Sequence, residues 1–411
     1  MVTYPSDWNR IKLNEVFTPY GGLSGKSKED FIGGDCKYIS YLDVFNNIAI
    51  LQPNSKVIIS NGENQNIVEY GDLLFTQSSE TPDEVGMAST YLGHEKVYLN
   101  SFCFGAKPIK EINPLFFSYY LRSKYIRDLI IIQGQGSTRY NISPQRLLSI
   151  ELAVPSYYEQ QSIADTLSTF DEHIENLTKL IEKKRAIRDG ALKDLVTGKT
   201  RLDGFESHWK TSRLETLTKQ IITGGTPSTA ENKYWGGEIP WLSSTEIHQK
   251  RIKNPTSYIT EAGLKNSSAK MAPPYSVVVA LAGQGKTRGT VAILEREMAL
   301  NQSLAAIVAN ESTDFTFLYY ALEKGYEALR ELSSGDGGRG GLNKKILREF
   351  EIIIPSSKTE QQAISSILTA MDDELIKLEH EKEKIQQIKE GAMDDLLTGK
   401  IRLVQRRGHN G

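Results

Sequence analysis

A chain of 411 residues with 39% hydrophobic and 24% charged residues has the composition of a globular protein with two or three compact domains. The net charge of −2 excludes a uniformly basic nucleic-acid binder, so any DNA contact must use local basic groups or charge from other subunits. No apolar run approaches the ~20 residues of a membrane span. The opening Met1-Val2-Thr3-Tyr4-Pro5 lacks a basic stretch followed by an apolar one, so no signal peptide is expected. Cys36 and Cys103 form no CxxC or zinc pattern, which points to reduced thiols and a cytoplasmic protein.

The first segment, to about Ile150, carries short β-like runs at Cys36 to Ser40, Lys56 to Ser60, Gly71 to Thr76 and Tyr98 to Pro108. Asn61-Gly62 marks a turn, and Pro53 and Pro82 interrupt the runs. Pro114 to Ile132 reads as a helix, with Leu115, Phe116, Tyr119, Tyr120, Tyr125 and Leu129 near helical spacing. A Gly-rich loop follows from Gln133 to Tyr140. The segment is a mixed α/β domain.

Pro155-Ser156 then starts a helix, with Glu159 three residues past the capping serine. Ile163, Leu167, Phe170, Ile174, Leu177 and Ile181 fall at steps of 4, 3, 4, 3, 4, a heptad seam of coiled-coil type. The stretch from Glu159 to Leu202 recurs without a gap from Glu360 to Leu403, an offset of 201 residues. Both copies open with Glu-Gln-Gln and close with Thr-Gly-Lys-x-Arg-Leu. The second seam is Ile364, Leu368, Met371, Leu375 and Leu378; then Lys382 and Ile385 replace the first copy's Ile181 and Lys184. That exchange suits two helices that choose one pairing register. Each helix would run ~36 residues, roughly 54 Å at 1.5 Å per residue. Neither seam is stable in water, so each helix is expected to pair with the other, antiparallel if the halves are related by a pseudo-two-fold axis.

Outside the helices the repeat is fainter. Trp8 matches Trp209, Gly21-Gly22 resembles Gly224-Gly225, Leu99-Asn100 matches Leu300-Asn301, and Tyr119-Tyr120 resembles Tyr319-Tyr320. A second Gly-rich loop, Gly335 to Gly341, puts Arg339 where the first has Arg139. Such a chain is two similar halves.

Charge is distributed unevenly. No acid lies between Glu261 and Glu295, where Lys265, Lys270, Lys286 and Arg288 occur. The windows from Asp128 to Glu151 and from Asp336 to Glu349 are likewise basic, with Arg139 and Arg146 in one and Arg339, Lys344, Lys345 and Arg348 in the other. Gly, Ser, Thr, Asn and Gln accompany these groups, a mixture suited to phosphates and base edges. The candidate DNA-binding residues are Lys26, Lys28, Ser78, Arg139, Tyr140, Asn141, Lys233, Gln284, Lys286, Thr287, Arg288, Arg339, Asn343 and Lys344. A solvated polar loop is the plain alternative for any one window.

Motifs that would carry catalysis fail on inspection. Gly283-Gln284-Gly285-Lys286-Thr287 resembles a phosphate-binding loop, but Ala280 stands where its first glycine is needed, and Arg288-Gly289-Thr290 reads as β-like. Asn113-Pro114-Leu115-Phe116 and Ala272-Pro273-Pro274-Tyr275 each lack a residue of an amino-methyltransferase motif. The six histidines are scattered, so no metal site, cofactor or active site is expected. Gly190 and Gly391 interrupt the helices at one aligned position, as a tolerated kink or a place where a partner helix comes close.

Two variable α/β segments, each followed by a repeated heptad helix with Glu-Gln-Gln and Thr-Gly-Lys-x-Arg-Leu at its ends, resemble the specificity subunits of type I restriction–modification systems. Gly224-Gly225-Thr226-Pro227-Ser228 and the run Tyr234 to Trp241 look like the opening of a target-recognition domain there. Gly21-Gly22-Leu23-Ser24 departs by lacking Thr-Pro-Ser. The resemblance covers the whole chain and implies an α+β fold with two target-recognition domains, 1–154 and 203–354. The helical regions would be 155–202 and 355–403, paired as an antiparallel coiled coil, with a tail from 404 to 411. It implies a non-catalytic reader of double-stranded DNA with a bipartite, interrupted site. The coil would serve as spacer and seat for two DNA adenine methyltransferase subunits, and a restriction subunit is a further candidate partner. The alternative reading is a coiled-coil scaffold whose two α/β modules bind proteins rather than DNA.

Overall fold

The computed structural model describes residues 3–333 and 341–403. The chain condenses into two compact units, Met1–Thr178 with His380–Gly411 and Lys179–Glu379. Both have one plan. In the first unit a five-stranded sheet has the order Phe17–Gly21, Cys103–Pro108, Leu73–Thr76, Ala88–Tyr91, Ala49–Ile50. In the second the order is Thr218–Thr223, Leu304–Ala309, Val277–Ala280, Val291–Leu294, Arg251–Ile252. The central strands Leu73–Thr76 and Val277–Ala280 are buried at every residue. Covered on both faces, they read as continuous apolar runs rather than alternating ones.

One face of each sheet packs on helices. In the first unit Phe75 and Phe104 meet Phe116, Phe117 and the long helix's Ile163 and Leu167 in a single core. In the second, Val277 and Ile307 meet Phe317, Leu318 and the other long helix's Ile364 and Leu368. The opposite faces pack on a smaller sheet through Ile39, Val97 and Leu99, and through Leu242, Met298 and Leu300. Antiparallel ribbons, Asn9–Lys12 with Glu151–Val154 and Trp209–Arg213 with Glu351–Pro355, lead into the long helices.

Local departures from the expected elements have physical causes. The helix read from Pro114 breaks into Pro114–Arg122 and Lys124–Gln133, because Ser123 is extended at φ −65° and ψ 147° and its hydroxyl donates back to the Tyr120 carbonyl at 2.7 Å. The run Tyr98 to Pro108 is two strands, Val97–Leu99 and Cys103–Pro108, separated by a turn in which Asn100 Oδ1 accepts from Phe102 N. Of the expected run Lys56 to Ser60 only the first two residues are in a strand, Ser55–Val57. Arg288-Gly289-Thr290 is a turn, and the strand begins at Val291. Cys36 and Cys103 are free thiols.

The repeated stretches form helices of 39 and 40 residues, Tyr157–Leu195 and Lys358–Leu397. Ser156 and Ser357 cap their starts by accepting from Glu159 N and Glu360 N. Their ends are closed by the Thr-Gly-Lys glycines, Gly198 at φ 69° and Gly399 at φ 72°. Thr200 N and Ile401 N return to the Asp194 and Asp395 carbonyls, the left-handed closure that favours glycine.

Ile163, Leu167, Leu177, Ile181, Ile364, Leu368 and Leu375 of the seams are buried. Phe170, Ile174, Met371, Leu378 and Ile385 are half-buried. Within each unit the pairing is antiparallel. In the first, Lys389 meets Asp171 and Arg402 meets Glu159. In the second, Arg185 meets Glu379, Arg188 meets Asp372 and Arg201 meets Glu360. Lys184 leaves the seam for Glu374, 2.7 Å away. A Cβ at Gly190 or Gly391 would meet nothing within 4 Å, so neither glycine is used for helix contact within the described chain.

The shared end motifs are explained by these contacts. The Glu of each Glu-Gln-Gln is buried and receives the Arg that closes the other copy. Arg402 donates to Glu159 at 2.7 and 2.8 Å and to Asp7 at 2.8 and 2.9 Å. Arg201 donates to Glu360 at 2.9 and 3.2 Å, beside Trp209 Nε1 at 3.1 Å and the Ser207 hydroxyl. The next residue pins each domain to its helix. Gln160 accepts from Asn113 N and donates to the Pro155 carbonyl, while Gln361 accepts from Asp314 N and donates to the Pro355 carbonyl.

Candidate nucleic-acid interface

Both units bring together two loops at one edge of the large sheet. In the first, Tyr140–Asn141 of the Gly-rich loop pair with Ser78–Ser79, just past the central strand, and Ile142 N donates to the Gln77 carbonyl at 2.9 Å. Ser78, Arg139, Tyr140 and Asn141 thus share one edge. Arg139 is exposed and lines a cleft of about 400 Å³ with Tyr41, Leu42, Phe45, Ser78 and Phe102.

In the second unit the corresponding loop joins Val277–Ala280 to Val291–Leu294 and carries Gln284, Lys286, Thr287 and Arg288. Gly289 N closes it onto the Ala280 carbonyl at 2.9 Å. Leu342 N donates to the Leu281 carbonyl at 3.1 Å, which sets Asn343 and Lys344 beside it. Gln284 and Lys286 are exposed, while Thr287 and Arg288 are half-buried. Arg288 Nη1 lies 3.4 Å from Ser333 Oγ. Asn343 caps the helix Lys344–Glu349 by accepting from Lys345 N and Ile346 N, so its oxygen is committed. Arg339 lies outside the described residues.

The helix Tyr326–Leu332 stiffens this loop through residues that sequence reasoning passed over. Tyr326 OH donates to the Lys286 carbonyl at 2.9 Å, and Arg330 Nη1 donates to the Gly285 carbonyl at 2.8 Å. His248 Nε2 sits 3.2 Å from Thr287 Oγ1. A Tyr and an Arg four residues apart look like an ordinary surface pair, and nothing local announces their loop partners. The Gly-Lys-Thr run opens no helix, so it lacks the helix N-terminus on which a phosphate-binding loop depends.

Other predicted residues lie elsewhere. Lys26 is turned inward: its ammonium donates to Glu63 at 2.6 Å and to the Ile58 carbonyl at 2.7 Å, with the side chain only 5% exposed. Lys28 is exposed ahead of the short turn Glu29–Phe31. Lys233 is exposed, 3.2 Å from Glu231 and over the Tyr234 ring. Lys26, then Gln65 and the Ser60 amide, hold the Glu63 carboxyl down at about 2. A depressed carboxyl contributes stability above its ordinary value and loses it as pH falls through about 2. Lys26→Met is expected to return the Glu63 titration toward 4.5 in a carboxyl-resolved NMR experiment; an unmoved titration would show that the ammonium does not hold it.

Among the described residues no helix is long and apolar enough to cross a membrane, and no cluster of His, Cys, Asp or Glu could hold a metal ion.

Two copies of one loop-bearing α/β unit, each built onto paired helices, make a duplicated recognition protein. The chain belongs to the family described as the type I restriction modification DNA specificity domain, which matches it twice, over residues 5–184 and 206–390, and its role is DNA recognition as a type I specificity subunit. It is similar to the putative type I restriction enzyme MjaX specificity subunit of Methanocaldococcus jannaschii, at 26% identity over 97% of this chain and 95% of that one. The EcoR124I/EcoR124II specificity subunit of Escherichia coli is 28% identical over 36% of this chain and 37% of its own length. The crystal structure of the type I restriction–modification S subunit from M. genitalium shares the fold, with a TM-score of 0.62 and 18% identity, covering 95% of this chain and 96% of that one.

Proposed function

We propose that each unit reads one half of a bipartite, interrupted site in double-stranded DNA, using the paired loops after its central strand and before its long helix. The domains that do so are 1–154 and 203–354. The observation that carries this reading is the duplication of the two-loop edge, Ser78 and Arg139–Asn141 in one unit and Gln284–Arg288 with Asn343–Lys344 in the other. The helical regions 155–202 and 355–403 act as the spacer between half-sites and as the seat of two DNA adenine methyltransferase subunits, with a restriction subunit as a further partner. Two equal seats are supported by exposed residues that both helices share at one heptad-like stripe: Lys183, Ile187 and Gly190, and Lys384, Ile388 and Gly391. Seam residues are shared because they pack; these are shared although they are exposed. Catalysis then belongs to the partners, which carry out the base flipping that methylation of a duplex requires, in the cytoplasm.

The test is a selection of bound DNA from a random library by the complex of this chain with its methyltransferase. Two half-site sequences at a fixed interval are expected. Arg139→Ala should relax one half and Lys286→Ala the other. A base contact should cost about 1–3 kcal/mol at one position, and a phosphate contact should weaken all sequences and lower the salt slope by about 1. A library recovered without sequence preference would sink the reading, and would favour modules that bind proteins.

A further inference from the structure

Beside the apolar core of the second unit lies a charged cluster that the DNA-reading loops do not use. Arg188 of the first long helix has a side chain only 6% exposed. It donates to Asp372 of the second long helix at 2.9 and 3.3 Å and to Glu323 at 2.5 Å. Asp372 also accepts from Tyr320 OH at 2.8 Å and from Lys250 Nζ at 2.9 Å. Tyr320 and Glu323 belong to the helix Phe315–Lys324, and Lys250 precedes the strand Arg251–Ile252. One cluster therefore ties both spacer helices to two separate elements of the recognition domain.

The same position is occupied in the first unit, but more sparsely. Asp171, Tyr119 and Lys389 stand 201 residues from Asp372, Tyr320 and Arg188. Tyr119 OH donates to Asp171 at 2.5 Å, and Lys389 pairs with the same carboxylate over the Tyr119 ring. At the place of Glu323 stands Arg122, which turns away to the carbonyls of Val44, Phe45 and Asn47. The second unit thus adds Glu323 and Lys250 to a shared core of tyrosine, aspartate and cation.

Buried ion clusters are poor sources of net stability, because desolvation consumes most of the attraction. Their cost is steep when one member moves, since a charge is then left buried and unpaired. Apolar packing such as that of Leu192, Ile364 and Leu368 is non-directional. A cluster with fixed donors and acceptors resists the tilt of a domain on its helices more than it resists unfolding. Lys250 is also well placed to hold the reading loop in line: its carbonyl accepts from Ile293 N at 2.9 Å, and nearby His248 touches Thr287 of that loop.

We propose that Arg188, Asp372, Lys250, Glu323 and Tyr320 form an orienting brace that sets the angle of the second recognition domain on the helix pair, making them determinants of the half-site interval the protein accepts. They are positioning residues and touch no base. The proposal rests on the bipartite reading given above.

The test uses the full chain assembled with its methyltransferase. Binding is measured to a DNA panel in which both half-sites are held constant and the interval is varied by single base pairs. Asp372→Asn is expected to lower discrimination between the preferred interval and its neighbours by about tenfold, within the range of coupling seen in charged networks, and Lys250→Met by less, because the Lys250 side chain is 48% exposed and Asp372 keeps Arg188 and Tyr320. Sequence preference inside each half-site should stay as it was. Arg188→Lys, which reproduces the first unit's cation, should retain most of the interval preference. Equal weakening at every interval would overturn the proposal in favour of simple destabilisation, as would an unchanged interval preference in variants that melt like the parent. If the parent complex itself shows half-site preference but no interval preference, the brace falls alone; if it shows no half-site preference, the bipartite reading falls and takes the brace with it.

Discussion

Shortening Leu368 to alanine is expected to destabilise the second unit by about 3–4 kcal/mol, the range for a buried leucine whose cavity does not collapse. Leu368 is fully buried and belongs at once to the helix seam and to the domain core around Phe317, Tyr319 and Ile364. Sheet, short helix and long helix all contribute to that core, so a cavity in it is not readily filled by movement of one layer. Leu167 holds the same place in the first unit and is also fully buried. Phe170→Ala offers a contrast, since that ring is only half-buried. Chemical denaturation of the three variants should order them with the leucines well below Phe170. A cost under about 1 kcal/mol at Leu368, typical of surface substitutions or smaller core trims, would show that the seam and the domain core are separable.

Arg201→Met is expected to cost about 2–3 kcal/mol, from the carboxylate it abandons. Glu360 is completely buried, and without the guanidinium it keeps only the Trp209 and Ser207 donors. Those remaining donors place the loss below that of a fully orphaned charge. Adding Glu360→Gln to Arg201→Met should recover part of the loss, because the neutral amide no longer needs a cation. Thermal denaturation of the single and double variants checks both statements. Losses that simply add would show that the two groups act independently.

Much of this architecture is visible in the residues before any coordinates. The steps of 4 and 3 from Ile163 to Ile181 and from Ile364 to Leu378 mark the seams, and the Thr-Gly-Lys runs mark the helix ends. Gly21-Gly22 pairing with Leu99-Asn100, and Gly224-Gly225 with Leu300-Asn301, appear in sequence as two unrelated resemblances. In the fold they touch: a Cβ on Gly22 would lie 2.1 Å from the Asn100 carbonyl, and one on Gly224 1.8 Å from the Leu300 carbonyl.

What stayed hidden depends on side-chain partners far away in the chain. The acid of one repeat and the base of the other are each ordinary at their own positions. Their pairing across 243 residues, Glu159 with Arg402, is one of the contacts that fix the direction of the helices. Arg188 and Lys389 occupy seam positions, yet a charge at a seam position is read as the seam's end until a buried aspartate is found facing it. The tyrosine pairs mislead by one residue: Tyr119-Tyr120 aligns with Tyr319-Tyr320 by eye, but the hydroxyls that reach the helix aspartates are those of Tyr119 and Tyr320. Among the candidate DNA contacts, basic character points to loops but does not give the direction of each side chain. Lys26 differs from Lys28 in having Glu63 and the Ile58 carbonyl within reach.

The arginine clasp on Glu159 has a consequence for how the protein is made. The second unit is a continuous stretch of chain, whereas the first needs residues from His380 onward to be complete. During translation the usual order, in which the N-terminal domain is finished first, is therefore reversed. Asp7 and Glu159 wait for Arg402, so the first unit closes only after the whole of the second has been made. A ribosome that stops early releases a finished second unit attached to an open first one.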